Sequence, residues 1–220
     1  METLKEQLTG SLALIQGSQA WFAARAGRAT ASRISDIIAE TKSGWAASRG
    51  NYLAELVAER LTGQTADSYT NAAMQWGIDT EPEARKAYEF FRNADVVEVG
   101  FVNHPAIEMA GASPDGLVGD DGLVEIKCPN TKGHIDTLLG NGIIKKSYYT
   151  QVQWQMACTR RDCCDFVSYD PRLPHNLRLY VKRIDRHDFI IAKMEQQVVE
   201  FLAEVQATVD ELLKLGGHNA

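Results

Sequence analysis

Ser113-Pro114-Asp115-Gly116-Leu117-Val118-Gly119-Asp120-Asp121-Gly122-Leu123-Val124-Glu125-Ile126-Lys127, midway along a chain of 220 residues, sets two short apolar runs on either side of a cluster of turn residues. Leu117-Val118 and Leu123-Val124-Glu125-Ile126 are short β-rich runs, and Gly119-Asp120-Asp121-Gly122 between them is turn chemistry, so the segment predicts a hairpin. Side chains alternate along a strand, which puts Glu125 and Lys127 on one face and Ile126 in the opposite, apolar layer. Register then decides where the first acid stands. A three-residue connection over 119–121 places Asp115 directly across from Glu125 on the same face. A four-residue connection separates them unless a bulge intervenes.

Two carboxylates side by side repel unless a cation joins them, and hard oxygen ligands suit Mg²⁺ or Mn²⁺. Such an ion polarises a phosphodiester and generates hydroxide, and a lysine beside it can stabilise the charged transition state. Each half of the pattern is ordinary alone, since S-P-D-G is common turn chemistry and Glu-x-Lys is often a solvated strand face. Three features narrow the reading to a phosphodiester hydrolase: the order of the acids, the apolar residues between them, and Lys127 two positions after the second.

Outward from the hairpin, the elements alternate in type. Leu53, Leu56, Val57 and Leu61 predict a helix over 51–61 that ends before Gly63. Thr80-Glu81-Pro82-Glu83 reads as a capping box for a helix carrying Tyr88 and Phe91, although that helix could start near residue 71; either way Glu81 sits on the helix or at its mouth. Residues 96–102, 165–169 and 177–184 read as strands and 151–159 as a short helix. Ile190, Ile191, Met194, Val198, Phe201, Leu202, Val205 and Val209 form the stripe of a long helix over 187–215, stopped by Gly216-Gly217. The fold class is therefore α/β, a central mixed sheet flanked by helices, and the absence of repeats or linkers predicts one nuclease-sized domain over residues 1–220.

Composition sets bounds. Apolar residues make up 45% and charged residues 24%, ordinary globular usage. No run approaches the roughly 18 apolar residues of a membrane span, so a soluble protein without an export signal is expected. Cys128, Cys158, Cys163 and Cys164 contain no C-x-x-C pair and read as reduced thiols in a cytoplasm. The five histidines lack zinc spacing and are expected mostly at the surface. A net charge of −6 excludes a protein that coats nucleic acid through bulk charge. DNA contact must be local, and candidates are Arg25, Arg28 and Arg33, then Lys145 and Lys146 beside Tyr148 and Tyr149, then Arg178, Lys182, Arg183 and Arg186. Tyr148 and Tyr149 suit base stacking and core or rim packing equally. Gln151 and Gln155, four apart, share a helix face that polarity alone assigns to solvent.

The hairpin carries the pattern of the PD-(D/E)xK nucleases, and the chain resembles the phage lambda exonuclease family along nearly its whole length. Trp21 with Arg25, Gly27 and Thr30-Ala31-Ser32 resembles the first motif of that family, and Trp76-Gly77 with Glu81 and Ala84-Arg85 resembles the second. Ser113-Pro114-Asp115-Gly116-Leu117, Glu125, Lys127-Cys128-Pro129, Gln151-Val152-Gln153 and Tyr169-Asp170-Pro171-Arg172 complete a colinear series.

The resemblance implies a restriction-endonuclease-like core and a 5′-to-3′ exodeoxyribonuclease that digests one strand of linear double-stranded DNA. Its products are 5′-phosphomononucleotides and a 3′ overhang for recombination by annealing. It assigns two Mg²⁺ ions, replaceable by Mn²⁺, to Asp115, Glu125 and the main-chain carbonyl of Ile126, with Glu81 at the second site and Lys127 catalytic. It places a 5′-phosphate pocket on Arg25, Ser32 and Ser113, turns Gln151 to the active centre, and makes Met74 a wedge between bases, against the plain alternative of a core methionine. A homotrimer ringing DNA, a single-strand annealing recombinase partner and a bacterial host cytoplasm complete the implied picture. One departure stands out: where the family carries an arginine beyond Lys-Cys-Pro, this chain reads Thr131-Lys132-Gly133-His134. Rivals are an endonuclease or resolvase of the same superfamily and a non-catalytic DNA-binding module. An iron–sulfur cluster, known in some superfamily relatives, is disfavoured because Cys163 and Cys164 are adjacent and point apart on a strand.

Overall fold

The computed structural model describes residues 14–65, 72–140 and 143–218. Its helices are α1 (Gln19–Arg25), α2 (Ile34–Ile37), α3 (Ala47–Thr62), α4 (Ala72–Arg92), α5 (Thr131–Leu139), α6 (Lys146–Thr159) and α7 (Asp188–His218). Its strands are β1 (Ala29–Thr30), β2 (Glu40–Thr41), β3 (Gly44–Trp45), β4 (Val96–Val97), β5 (Val102–Asn103), β6 (Ala110–Ala112), β7 (Gly116–Val118), β8 (Gly122–Lys127), β9 (Cys163–Tyr169) and β10 (Leu179–Asp185). A five-stranded sheet of order β10-β9-β8-β7-β4 is the centre, with β8 and β9 parallel and the other neighbours antiparallel; β1-β6-β5 form a second, smaller mixed sheet.

Strand alternation sorts the core into layers. Val124 and Ile126 of β8, with Val167 and Tyr169 of β9, pack against Ala84 and Tyr88 of α4. Leu123, Phe166 and Ile184 face the other way, against Val152 and Met156 of α6. Beyond α6, Trp154 and Cys158 join Tyr52 and Leu56 of α3 and the buried stripe of α7, in which the Phe201 ring stacks on Tyr52 at 5.7 Å. Each large side chain so buried contributes roughly 1.5–3 kcal/mol. The mixed α/β sheet architecture is the one anticipated.

Several local expectations change. Helix α4 starts by Ala72, the earlier of the two starts expected, so Thr80 is a buried interior residue and not a cap, and Pro82 sits inside the helix. Proline removes only the bond to the carbonyl of Ile78, whose side is exposed and can be served by water. The expected strand over 96–102 divides into β4 and β5, which belong to different sheets. Helix α7 continues through Gly216 to His218. Helix α1 was not anticipated, although Ser18 caps it by accepting the Trp21 N–H at 3.2 Å; α5 is capped likewise by Asn130, which accepts from Gly133 at 2.8 Å. His104 and His134 are buried, not superficial; the latter bonds Ser168 at 2.7 Å and the Leu177 carbonyl at 2.8 Å.

Candidate active site

The hairpin adopts the odd register. Gly116, Leu117 and Val118 pair with Val124, Leu123 and Gly122, leaving a three-residue connection that opens on Gly119 in the left-handed region at φ +57°. The next pair in that register is Asp115 opposite Glu125, both on the α6 face of the sheet. Gly116 is required between them and β4, because a Cβ there would lie 2.1 Å from Val96 Cγ1.

Asp115 Oδ2 accepts the Ile126 N–H at 2.6 Å, which ties the first acid to the strand bearing the second. Glu125 is 1% exposed. Its Oε1 accepts from Lys127 Nζ and, at 2.6 Å, from Gln151 Nε2; its Oε2 accepts from Gln155 Nε2, also at 2.6 Å. A carboxylate can only accept, so both amides must turn their NH₂ groups to Glu125. Polarity had assigned this glutamine face to solvent. That reading fails because α6 is buried from Val152 to Thr159, and its glutamines satisfy buried charge instead.

Glu81 comes from α4, across a cleft of about 420 Å³ that also meets Met74, Ile126, Lys127, Cys128 and Tyr148. Its carboxylate accepts from Arg85 at 2.7 Å, and Arg85 also pairs with Glu98. Burial, then the charges of Glu125 and Glu81, push the Asp115 carboxyl well above the usual range. Burial also raises Glu81, against the pull of Arg85. Burial alone would lower the Lys127 ammonium, but Glu125 and Asp115 together outweigh it and hold the charge above its ordinary pKa.

The donor set is one of hard oxygens: three carboxylates and the Ile126 carbonyl. Burial, then Glu81 and Asp115, push the Cys128 thiol up to about 12, so it supplies no thiolate. Such donors fit Mg²⁺ or Mn²⁺ and not a soft metal. Among the described residues, no three His, Cys, Asp or Glu side chains form a ready-made metal-binding group in this conformation. Both Glu125 oxygens are occupied by lysine and amide donors. The cysteines are free and the described ones form no cluster.

A second pocket, of about 450 Å³, holds Arg25 and Ser32 and shares Met74 with the first. Ser113 Oγ accepts from Trp21 Nε1 at 2.9 Å and from Arg25 at 3.3 Å, and the Arg25 guanidinium lies 4.1 Å from the Trp21 ring centroid. Arg33 is spent on Glu55 and Asp36 and Arg28 on the Glu108 carbonyl, whereas Arg25 has no carboxylate salt bridge among the described residues. Lys132, in the segment where the family carries an arginine, has a side chain that is 83% exposed and pairs with Asp136 along α5. Met74 is 50% exposed on the wall between the two pockets, not in the core.

Fold and site together define a carboxylate–lysine centre on a mixed-sheet α/β scaffold, the arrangement of the PD-(D/E)xK class. Residues 20–162 match the model of the YqaJ-like viral recombinase domain, and the chain belongs to that family, the family of lambda exonuclease. The alkaline exonuclease LHK-Exo of Laribacter hongkongensis, also solved in complex with dAMP, is 50% identical over 92% of this chain and all of its own, with a TM-score of 0.86. A phage-related exonuclease of Haemophilus somnus 129PT, 18% identical with a TM-score of 0.65 over 85% of this chain and 95% of its own, shares the fold. The putative uncharacterized protein ExoD of Escherichia coli K12 is 35% identical over 69 residues, 31% of this chain and 78% of its own.

Proposed function

We propose that the chain acts as one nuclease domain, a metal-dependent exodeoxyribonuclease that digests one strand of linear duplex DNA from its 5′ end. It releases 5′-phosphomononucleotides and leaves a 3′ overhang for recombination by annealing. One observation carries the reading: Ser113, which receives Trp21 and Arg25, lies two residues from Asp115, the acid opposite Glu125. A guanidinium with hydroxyls suits a terminal phosphate, and a rigid hairpin fixes its distance from the carboxylates. The dAMP bound by the Laribacter relative is a nucleotide of the kind such digestion releases.

Asp115, Glu125 and the Ile126 carbonyl would hold one Mg²⁺ and Glu81 would contribute to a second, with Mn²⁺ able to substitute. Bound there, the ions supply Lewis acidity toward the scissile phosphate and an activated water. Lys127, kept charged by its two acids, stabilises negative charge gathering on the phosphate oxygens. Gln151 and Gln155 hold both Glu125 oxygens in direction. Arg25, Ser32 and Ser113 receive the 5′-phosphate, and Met74 enters between the last bases as a wedge. A ring-shaped homotrimer, an annealing recombinase partner and a bacterial host cytoplasm belong to the same proposal. No helix among the described residues is long and apolar enough to cross a membrane.

Linear duplexes with 5′-phosphate or 5′-hydroxyl ends, and a closed circle, incubated in Mg²⁺ and in chelator, test it. Mononucleotides should leave phosphorylated ends rapidly, in Mg²⁺ only. Nicking of the circle would make the chain an endonuclease, and inertness toward all three in Mg²⁺ and Mn²⁺ would make it a DNA-binding module. Arg25→Ala should cut the rate on phosphorylated ends by about 10- to 100-fold, the weight of a charged hydrogen bond, while barely changing hydroxyl ends. Equal wild-type rates on the two ends would reject the pocket. Met74→Ala should slow fully paired ends, where unstacking costs a few kcal/mol, and spare ends frayed by a short 5′ overhang. Equal slowing on both, with a lower melting temperature, would return Met74 to a packing role.

A further inference from the structure

Two basic clusters that lie apart in the sequence meet in the structure. Lys146 and Tyr149, at the start of α6, and Lys182 and Arg186, along and just after β10, line a cleft of about 610 Å³ at the edge of the central sheet, with Asp185 the acid among them. In a chain of net charge −6, cations gathered in one groove create a local field opposite in sign to the whole. Part of that charge is balanced, since Arg186 bonds Asp188 at 2.6 Å, and the Arg183 guanidinium turns away to Asp165 on the α4 face of the sheet. Lys145 and Lys146 are exposed at the rim, and Lys182 is partly buried beside them. Lys145 Nζ lies 5.5 Å from the centroid of the Tyr148 ring, and Lys146 is exposed beside it.

This groove and the catalytic cleft are lined by adjacent residues of α6. The Tyr148 ring that Lys145 approaches also has Lys127 Nζ 5.3 Å from its centroid, and Tyr148 lines the catalytic cleft while its neighbour Tyr149 lines the basic one. Tyr149 and Ile144 are partly buried against the core and give the groove an apolar floor. Phosphates meet ammonium groups at a rim while unstacked bases lie on an aromatic floor, and a duplex does not present its bases that way.

We propose that the groove between α6 and β10 binds single-stranded DNA. The strand left undigested passes Tyr148 onto Tyr149 and Ile144, with its phosphates on Lys145, Lys146 and Lys182. The source of that strand rests on the exonuclease reading, but the binding does not require cleavage and is measured without it.

The test is fluorescence anisotropy of a labelled oligodeoxythymidylate in chelator across a salt series. It compares wild type, a Lys146→Glu/Lys182→Glu variant, and a Lys42→Glu/Lys86→Glu control with the same change of net charge outside the groove. The groove variant should bind on the order of 10-fold more weakly or worse, with a log–log salt slope shallower by about 1.4, from ~0.7 per lost phosphate contact on single strands. The control should stay near wild type. Equal losses in both variants, or none in the groove variant, would overturn the proposal. If circular dichroism shows the groove variant unfolded, photocrosslinking wild type to an iodouracil-bearing oligonucleotide decides, with adducts expected on the peptide containing Tyr148 and Tyr149. Adducts elsewhere only would reject the groove. Displacement of the oligonucleotide by polyglutamate at equal charge would assign the groove to an acidic protein segment instead. A wild type that binds in the groove yet cleaves no DNA would keep this proposal and remove the exonuclease reading.

Discussion

Asp115→Asn is expected to abolish cleavage and, in chelator at neutral pH, to raise the melting temperature. Wild-type Asp115 is largely buried and faces two acids, and burial with Glu125 and Glu81 drives its carboxyl well above an ordinary aspartate. A folded-state pKa above the unfolded value of about 3.9 means that ionisation costs stability. The stability contributed by the protonated acid is present below the unfolded value and lost as pH rises through the folded one. Asparagine escapes this and still offers an oxygen to the Ile126 N–H. The advantage of the variant should therefore be absent in acid and full above the raised pKa of Asp115. Added Mg²⁺ should stabilise the wild type and not the variant, which differential scanning fluorimetry reads directly. Wild-type turnover by Asp115→Asn would end the metal assignment. A variant less stable than wild type at neutral pH would show that the carboxylate holds the hairpin rather than repelling its neighbours.

Asp165→Ala should be strongly destabilising although the residue lies away from the cleft. Asp165 is 1% exposed on β9 and accepts from Tyr88 Oη at 2.8 Å, from Arg92 at 2.8 and 2.6 Å and from Arg183 at 3.0 Å. Burial opposes its ionisation, but Arg183, Tyr88 and Arg92 prevail and hold the carboxyl below the usual range. Its removal leaves a buried hydroxyl unpaired and two guanidiniums facing each other. Breaking a buried pair costs ~3–5 kcal/mol, and because the arginines are partly exposed the low end, about 3 kcal/mol, applies. For a chain of this size that is a fall of roughly 6–12 °C in melting temperature. The sign with pH is opposite to that at Asp115: the contribution of Asp165 is present above the unfolded pKa and lost as pH falls through the depressed folded one. A change below about 1 kcal/mol in urea unfolding would show that the arginines are served by water.

What the sequence revealed follows from which signals are local. Turn residues and strand alternation fix the Asp115–Glu125 register within a dozen residues, and the α7 stripe declares its buried side through 3.6-residue spacing. Strand β6, Ala110–Ala112, carries no such signal. Its middle residue must be Gly111 because a Cβ would sit 2.6 Å from the Val102 carbonyl oxygen of β5, a constraint set by a neighbouring strand. Gln151 and Gln155 misled for a related reason. Helix α6 is covered on nearly every side, so polar spacing along it marks buried partners rather than water, and only the fold says that the partner is Glu125. The approach of Arg25 to Ser113 spans 88 positions and was legible only through family resemblance.

The parallel pairing of β8 with β9 has a consequence for biosynthesis. A hairpin closes on itself as soon as it is made, so Asp115 and Glu125 can face each other early, whereas a parallel neighbour needs a crossover before it can dock. That crossover contains α6, the helix whose glutamines hold Glu125, and it gains its partners only when β9 and β10 have left the ribosome. A half-translated chain thus owns the acids without the frame that directs them.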